Sequence, residues 1–417
     1  MTTRRGLILG LGATLAAPGI LHGAAAARVV VIGGGFGGAT AARFLARHGL
    51  RVTLIEPARQ FHTCPFSNLY LAGLRDWPSL IQNYDALRAA GVEVRHERAE
   101  ALDPARLRVT QADGEVLEAD RLVLAPGIDM RWDALAGYDA AAAELAPHAW
   151  KAGPQTMLLR RQLEAMPDGG TFVMVIPDGA YRCPPGPYER ASLVADYFRR
   201  TKPRSKILLL DAKDKFSKQA LFRQGWTALY GGMIEWVGLS DDGQVVRVDA
   251  AARAVETAFG TIHRADVLNV IPPQRAGGIA AELADASGWV PVRGAALESL
   301  AAPGVHVIGD AALASPMPKS AFCANVQGKV LAATIAAELA GQVAPAAVFA
   351  NTCYSMIGAD YAVSVAGIYR AGAEGFAEVP GAGGVSPLDA GPDLRAAEAR
   401  YAAGWYRTIT AQIWGAA

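Results

Sequence analysis

Two sets of residues in this chain carry evident chemistry. The first is Gly33-Gly34-Gly35-Phe36-Gly37-Gly38 with Glu56. Gly33, Gly35 and Gly38 fit the spacing G-x-G-x-x-G. In that pattern the glycines let the backbone turn tightly and bring its N–H groups against a pyrophosphate at a helix N-terminus. Glu56 lies eighteen residues after Gly38 (56 − 38); a carboxylate there accepts hydrogen bonds from a ribose 2′-OH and repels a 2′-phosphate. The second set is sulfur: Cys64, Cys183, Cys323 and Cys353. In an oxidising compartment a pair of these persists as a disulfide, and four thiols allow three full pairings among which the sequence does not choose.

The elements that must position the glycine turn are legible around it. Val29-Val30-Val31-Ile32 is a β-branched run of the kind buried on both faces of a parallel sheet. Ala39 to His48 is Ala-rich and amphipathic, Gly49 stops it, and a second apolar run starts at Val52. Strand, helix, second strand and acidic end occur in order, so the turn reads as a dinucleotide site rather than a structural glycine loop. Further along, Arg121 to Leu124 is another buried strand, ending in Ala125-Pro126-Gly127, and Gly304 to Ile308 is a strand ending in Gly309-Asp310. A helix is expected from Ala321 to Leu339. Its positive end suits a place where negative charge grows.

A second strand–helix–strand unit spans Gly170–Ile176, a helix over Ser192–Arg199, and Lys206–Leu210. The turn after its first strand reads Pro177-Asp178-Gly179-Ala180-Tyr181-Arg182-Cys183-Pro184-Pro185. Prolines lack the N–H donors a pyrophosphate needs, so this unit is expected to keep the dinucleotide fold without an NAD(P) site. Residues 349–417 read as a strand-rich start followed by an aromatic helix bearing Tyr401, Trp405, Tyr406 and Trp414.

Length and composition bound these readings. The 417 residues exceed one core, and 52% hydrophobic against 19% charged residues is globular composition. A net charge of +1 provides no field that would recruit nucleic acid or an anionic membrane. Residues 1–27 form a leader: Arg4-Arg5, an apolar run from Leu7 to Ile20, then Gly23-Ala24-Ala25-Ala26-Ala27. The run falls short of the ~20 residues of a membrane span. Paired arginines point to twin-arginine export, with cleavage near Ala25 to Ala27 and a periplasmic destination; no span is expected in the mature protein.

Six segments in register carry a resemblance over the whole mature chain. They are Thr63-Cys64 with Ser67-Asn68, Cys183 to Arg190, Phe216 to Gln219, Ile271 to Ala276, Pro316-Met317-Pro318-Lys319-Ser320, and Asn351 to Ser355. On these the chain resembles the flavoprotein subunit of flavocytochrome c sulfide dehydrogenase, in the superfamily of sulfide:quinone reductases and glutathione reductase. The resemblance implies an α/β fold of two Rossmann-like dinucleotide-binding domains plus a small C-terminal α+β domain. The expected divisions are 28–136 and 271–344 for FAD, 137–270 for the second Rossmann-like domain, and 345–417 for a C-terminal interface domain. FAD is then expected on Gly33, Gly35, Gly38, Glu56, Gly127, Gly309, Asp310 and Lys319, with Cys64 as its thioether anchor. Cys183 and Cys353 match a redox-active disulfide, and Glu189 a neighbouring carboxylate acting as acid/base.

The residues alone read differently at two of these points. On composition alone a bond between Cys183 and Cys353, 170 residues apart (353 − 183), reads as a structural tie between domains, and the proline-rich loop at the place of a cofactor-binding turn points to catalysis instead. Cys64 alone is a buried thiol. Cys323 departs from the family pattern; it reads as a free buried thiol, with an alternative disulfide or persulfide partner as the sharper reading.

The implied activity is oxidation of sulfide to sulfur or polysulfide. Electrons would pass to a c-type haem, which must sit on a partner cytochrome subunit because this chain has no Cys-x-x-Cys-His. The alternatives are a peripheral-membrane sulfide:quinone oxidoreductase and an FAD protein without sulfide activity. No protein metal site is expected.

Overall fold

The computed structural model describes residues 26–372 and 375–415. The leader expected over 1–27 lies outside them up to residue 25. The chain enters at Arg28–Ile32 (β1), turns into the helix Phe36–Arg47 (α1), and returns through Arg51–Ile55 (β2). β1 is apolar throughout after Arg28 and is buried, as a strand flanked on both sides must be. It pairs in parallel with β2 on one side and with Arg121–Leu124 (β3) on the other. Between β2 and β3 lies a short helix, Ser67–Leu71 (α2).

A second parallel sheet follows. Thr171–Ile176 (β4) leads into the helix Gly186–Thr201 (α3), then Lys206–Asp211 (β5), the helix Gln219–Tyr230 (α4), and Val267–Val270 (β6). The strand order is 234–237, β5, β4, β6. α3 differs from expectation. It starts six residues before Ser192, because Pro187 in its first turn fits a helix start, where no N–H is needed.

The chain then re-enters the first sheet. Val305–Val307 (β7) pairs with β3, and residues 290–293, 298–299 and 312–313 beyond it, with 93–95 beside β2, extend that sheet to eight strands. Ala321–Leu339 (α5) has the expected ends and is capped by Ser320 Oγ, which accepts from the Cys323 N–H. α5 packs on α1 so closely that a Cβ at Gly328 would lie 2.8 Å from the Gly37 carbonyl oxygen. Finally Phe349–Gly358 (β8) and Tyr361–Gly372 (β9) form an antiparallel pair, and Pro392–Trp414 (α6) closes over them. The far end of α6 is held by Arg43 of α1, whose Nη1 donates to the Ile413 and Gly415 carbonyls at 3.0 and 2.8 Å. These are carbonyls a helix leaves unpaired. Among the described residues no helix is long and apolar enough to cross a membrane.

At Gly328 the α1–α5 seam leaves no room for a side chain. Gly328→Val is expected to cost about 1–3 kcal/mol by overpacking and to lower the thermal midpoint. An unchanged midpoint in a thermal melt would contradict the seam.

Candidate active site

One cavity of about 530 Å³ runs between the two sheets and the C-terminal element. It begins at the turn after β1. Gly33 there has φ +97, a conformation L side chains avoid, and a Cβ would strike the Ala125 carbonyl of the turn after β3. α1 has no side-chain cap and no acidic residue in its first turn, so its leading N–H groups and positive end are available to an anion. Gly35 and Gly37 line the cavity, while Gly38 is buried in α1 against Gly33. Glu56 stands at the end of β2 on the same wall. Its Oε2 accepts from the Gly34 N–H at 2.7 Å and its Oε1 from the Ala58 N–H at 2.9 Å.

Gly127, Gly309, Asp310 and Lys319 line the middle. Asp310 Oδ2 accepts from Arg182 Nε at 2.6 Å. Lys319 Nζ donates to the carbonyls of Asp310 and Ala312 and lies 3.7 Å from the centre of the Trp289 ring. Burial lowers the Lys319 pKa to about 8 against the pull of Asp310.

The far end is sulfur. Cys64, Cys183 and Cys353 all line the cavity, and all four cysteines are free thiols. Cys183 precedes α3 in a left-handed conformation, φ +56. Its N–H donates to the Lys319 carbonyl at 2.8 Å and its carbonyl accepts from the Gly186 N–H at 2.8 Å. Cys353 projects from β8, opposite Val365. Cys64 Sγ accepts from Arg182 Nη1 at 3.5 Å. Cys323 is not on the cavity wall. It lies in the first turn of α5, 2% exposed, and burial pushes its thiol up to about 12.

A cavity that starts at an uncapped helix N-terminus and ends among thiols fits FAD. The comparisons with known proteins agree. Residues 27–154 match the family described as pyridine nucleotide-disulphide oxidoreductase. Residues 156–272 match the central part of the sulfide dehydrogenase [flavocytochrome c] flavoprotein chain, and residues 345–414 match the flavin-binding part of flavocytochrome c sulphide dehydrogenase. The sulfide dehydrogenase flavoprotein chain of Chlorobaculum thiosulfatiphilum is 58% identical over 43 residues, which cover 10% of this chain and 90% of that sequence. The chain belongs to the flavocytochrome c sulfide dehydrogenase flavoprotein family.

In fold it is similar to the sulfide:quinone oxidoreductase of Aquifex aeolicus. The TM-score is 0.69 at 19% identity, over 93% of this chain and 92% of that one. Ferroptosis suppressor protein 1 of Taeniopygia guttata is 32% identical over 119 residues, 24% of this chain and 27% of that protein.

Glu189, the carboxylate expected beside the cysteine pair, sits in the first turn of α3 and lines this flavoprotein's cavity. Asn68 of α2 donates to its Oε2 at 2.8 Å and the Met356 N–H of β8 donates to its Oε1 at 2.9 Å. Burial raises the Glu189 pKa against these bonds, which favour the ionised form. Asn68 Oδ1 in turn accepts from Arg190 Nε at 3.1 Å. Arg190 is 2% exposed, stacks 4.8 Å from the centre of the Trp150 ring, and donates to the His148 and Ala149 carbonyls and to Asn269. Burial brings its pKa down to about 10, so it is charged at neutral pH.

Sequence reasoning does not assign roles to three of these groups. Asn68 and Arg190 fall within matched segments, but nothing local marks a contact across 122 positions. Lys218, at the N-cap of α4, donates to the Cys353 carbonyl at 2.9 Å and to Ser355 Oγ at 2.8 Å. The place where a second dinucleotide ribose would bind, the end of β5, is filled. Asp211 is fully buried there and accepts from Tyr188, Trp236 and Lys213 at 2.6, 3.0 and 2.6 Å. Tyr188 stacks on Phe216 at 3.6 Å.

His148 anchors the Trp150 wall, its Nδ1 accepting from the Trp150 N–H at 2.9 Å. Burial first, then the Arg190 and Lys151 charges, lower its pKa to about 3. Between pH 6.5 and 3 the unfolded chain therefore binds the extra proton. The stability this contributes is full above 6.5 and is lost as pH falls toward 3. A His148→Gln variant should lose less stability than the parent between pH 7 and pH 4.5 in denaturant melts. Parallel losses would exclude His148 as the source.

Proposed function

We propose that this chain is the sulfide-oxidising subunit of a periplasmic flavocytochrome. Cys183 and Cys353 would form its redox-active disulfide, and Cys64 would hold the flavin covalently. The observation that carries the reading is that Cys64, Cys183, Cys353 and Glu189, from three separate segments, share one cavity with the glycine turn. The name of the Chlorobaculum thiosulfatiphilum relative supports both the substrate and a cytochrome partner.

HS⁻ adds to one sulfur of the disulfide. The S–S bond breaks, one cysteine becomes a persulfide, and the bonding pair leaves on the other as a thiolate. Glu189 stands on the cavity wall to take up or return the proton of the sulfur species. Burial raises its pKa, which makes its carboxylate a stronger base than one in water. Bound in the cavity, a flavin supplies a two-electron acceptor that passes its electrons on singly. Arg182 holds Cys64 and Asp310 together, fixing the thiol on the wall where the anchor would form.

Electrons then leave to a c-type haem on a separate subunit, forming a heterodimer with this chain. The filled pocket around Asp211 and the proline-bearing turn before α3 support an electron route that does not involve NAD(P)H. The twin-arginine leader over residues 1–27 supports export after the cofactor is installed.

Anaerobic addition of sulfide should bleach the flavin of the parent, and Cys183→Ser should slow the bleaching by about a hundredfold or more, as expected for loss of a covalent participant. Rapid bleaching of Cys183→Ser refutes the disulfide route. Intact mass after denaturation should show the flavin retained in the parent and released by Cys64→Ala. Release from the parent refutes the covalent link.

A further inference from the structure

Both sulfurs of the pair are poor homes for negative charge. Burial raises the Cys183 thiol well above its ordinary value, and Cys353 and Glu189 raise it further. Burial likewise raises Cys353, with Glu189 adding to it. Yet opening a disulfide with HS⁻ deposits an anion on one of these sulfurs, beside the Glu189 carboxylate, so the site needs a cation.

The charged and titratable groups that face the pair come from each packed element. From α3 there is Glu189, with Arg190 directed away toward the His148 and Ala149 carbonyls. From α5 there is Cys323, a neutral thiol near neutral pH. Cys64 faces Cys183 and is bonded by Arg182, whose guanidinium is committed to Asp310. From the head of α4 there is Lys218. It is 9% exposed and its Nζ is tied to the carbonyl of Cys353 itself and to Ser355 Oγ. Among the described residues it makes no salt bridge. The left-handed backbone of Lys218, φ +62, bends the chain so that the side chain enters beneath β8.

We propose that Lys218 is an electrostatic positioning residue of the sulfur chemistry, stabilising the thiolate that forms on Cys353 when HS⁻ opens the pair. In the balanced step the S–S bond breaks as the new S–S bond to HS⁻ forms at Cys183. Cys183 becomes Cys–S–SH, and the electron pair goes to Cys353 Sγ. Sulfide is oxidised, the disulfide is reduced, and no further reagent enters. Lys218 favours this direction because it is bonded to Cys353's own carbonyl. Its charge opposes burial and the Glu189 carboxylate at Cys353. A neighbouring opposite charge commonly shifts an ionisable group by about one unit or more.

This inference rests on the proposed disulfide route, so the test separates the two. In the dithiothreitol-reduced holoenzyme, the pH profile of Cys353 alkylation by iodoacetamide is followed by peptide mass. Lys218→Met should move that profile up by about one pH unit, which is about tenfold slower alkylation at neutral pH. It should slow sulfide bleaching similarly, and Lys218→Arg should restore both. If Lys218→Met does not fold, Lys218→Gln keeps a donor for the Cys353 carbonyl without the charge and should show the same shift. A parental alkylation profile in a folded, uncharged variant overturns the role of Lys218. Fast bleaching in Cys183→Ser overturns the disulfide route instead, and the alkylation profile still reads Lys218 in that case.

Discussion

The site depends on one buried amide. Asn68 stands between a guanidinium and a carboxylate, accepting from Arg190 on its Oδ1 and donating to Glu189 from its Nδ2. Arg190 and Glu189 are neighbours in α3, and neither charge has an ion-pair partner among the described residues. A buried charge is tolerated only when its hydrogen bonds are made, and removal of one partner from such a network leaves the other uncompensated. Asn68 therefore serves both at once, while backbone groups of 148, 149 and 356 complete the shells. The three elements that bring the chemistry together, α2, α3 and β8, are joined through this chain of bonds. Their relative placement is a consequence of satisfying two charges rather than of apolar packing alone.

The second Rossmann-like unit shows what it takes to turn a nucleotide fold to another use. The strand order and crossover are those of a dinucleotide domain, yet the ends of β4 and β5 are committed internally. Asp211 occupies the position an acid would need for a ribose, but Tyr188, Trp236 and Lys213 already donate to it. Tyr188 comes from the first turn of α3, the same turn that carries Glu189. The helix start that would have cradled a pyrophosphate thus points an aromatic ring inward and a carboxylate outward to the sulfur cavity. The proline-bearing segment before it delivers Cys183 to the mouth of that helix.

The parts of this arrangement legible in the sequence are those fixed by local geometry. The turn at Gly33 needs a left-handed residue, β1 needs an unbroken apolar run, and α5 announces its start with a Ser cap and its length with an Ala-rich stretch. The start of α3 is not legible in the same way. Pro184, Pro185 and Pro187 read as breakers, although a proline in the first helical turn costs nothing. With the helix read from Ser192, Glu189 falls before its start. The contacts of Asn68 with Arg190, and of Lys218 with Cys353, span 122 and 135 positions and leave no periodic trace. Only a match to a family of sequences marks those segments.

The thiols make the same point in energetic terms. Four cysteines admit three pairings by count, and burial alone would render every one of them an inert hydrophobe. What separates them is the charge around each. Cys323 sits in a helix turn with only Ser320 nearby to favour its anion, and it stays neutral. Cys64 is met by a guanidinium. Cys183 and Cys353 share a carboxylate that opposes an anion and a lysine that favours one. A pair held between those two influences can release a sulfur anion without being left charged at rest. That is what the proposed disulfide would require to be opened and reclosed in every turnover.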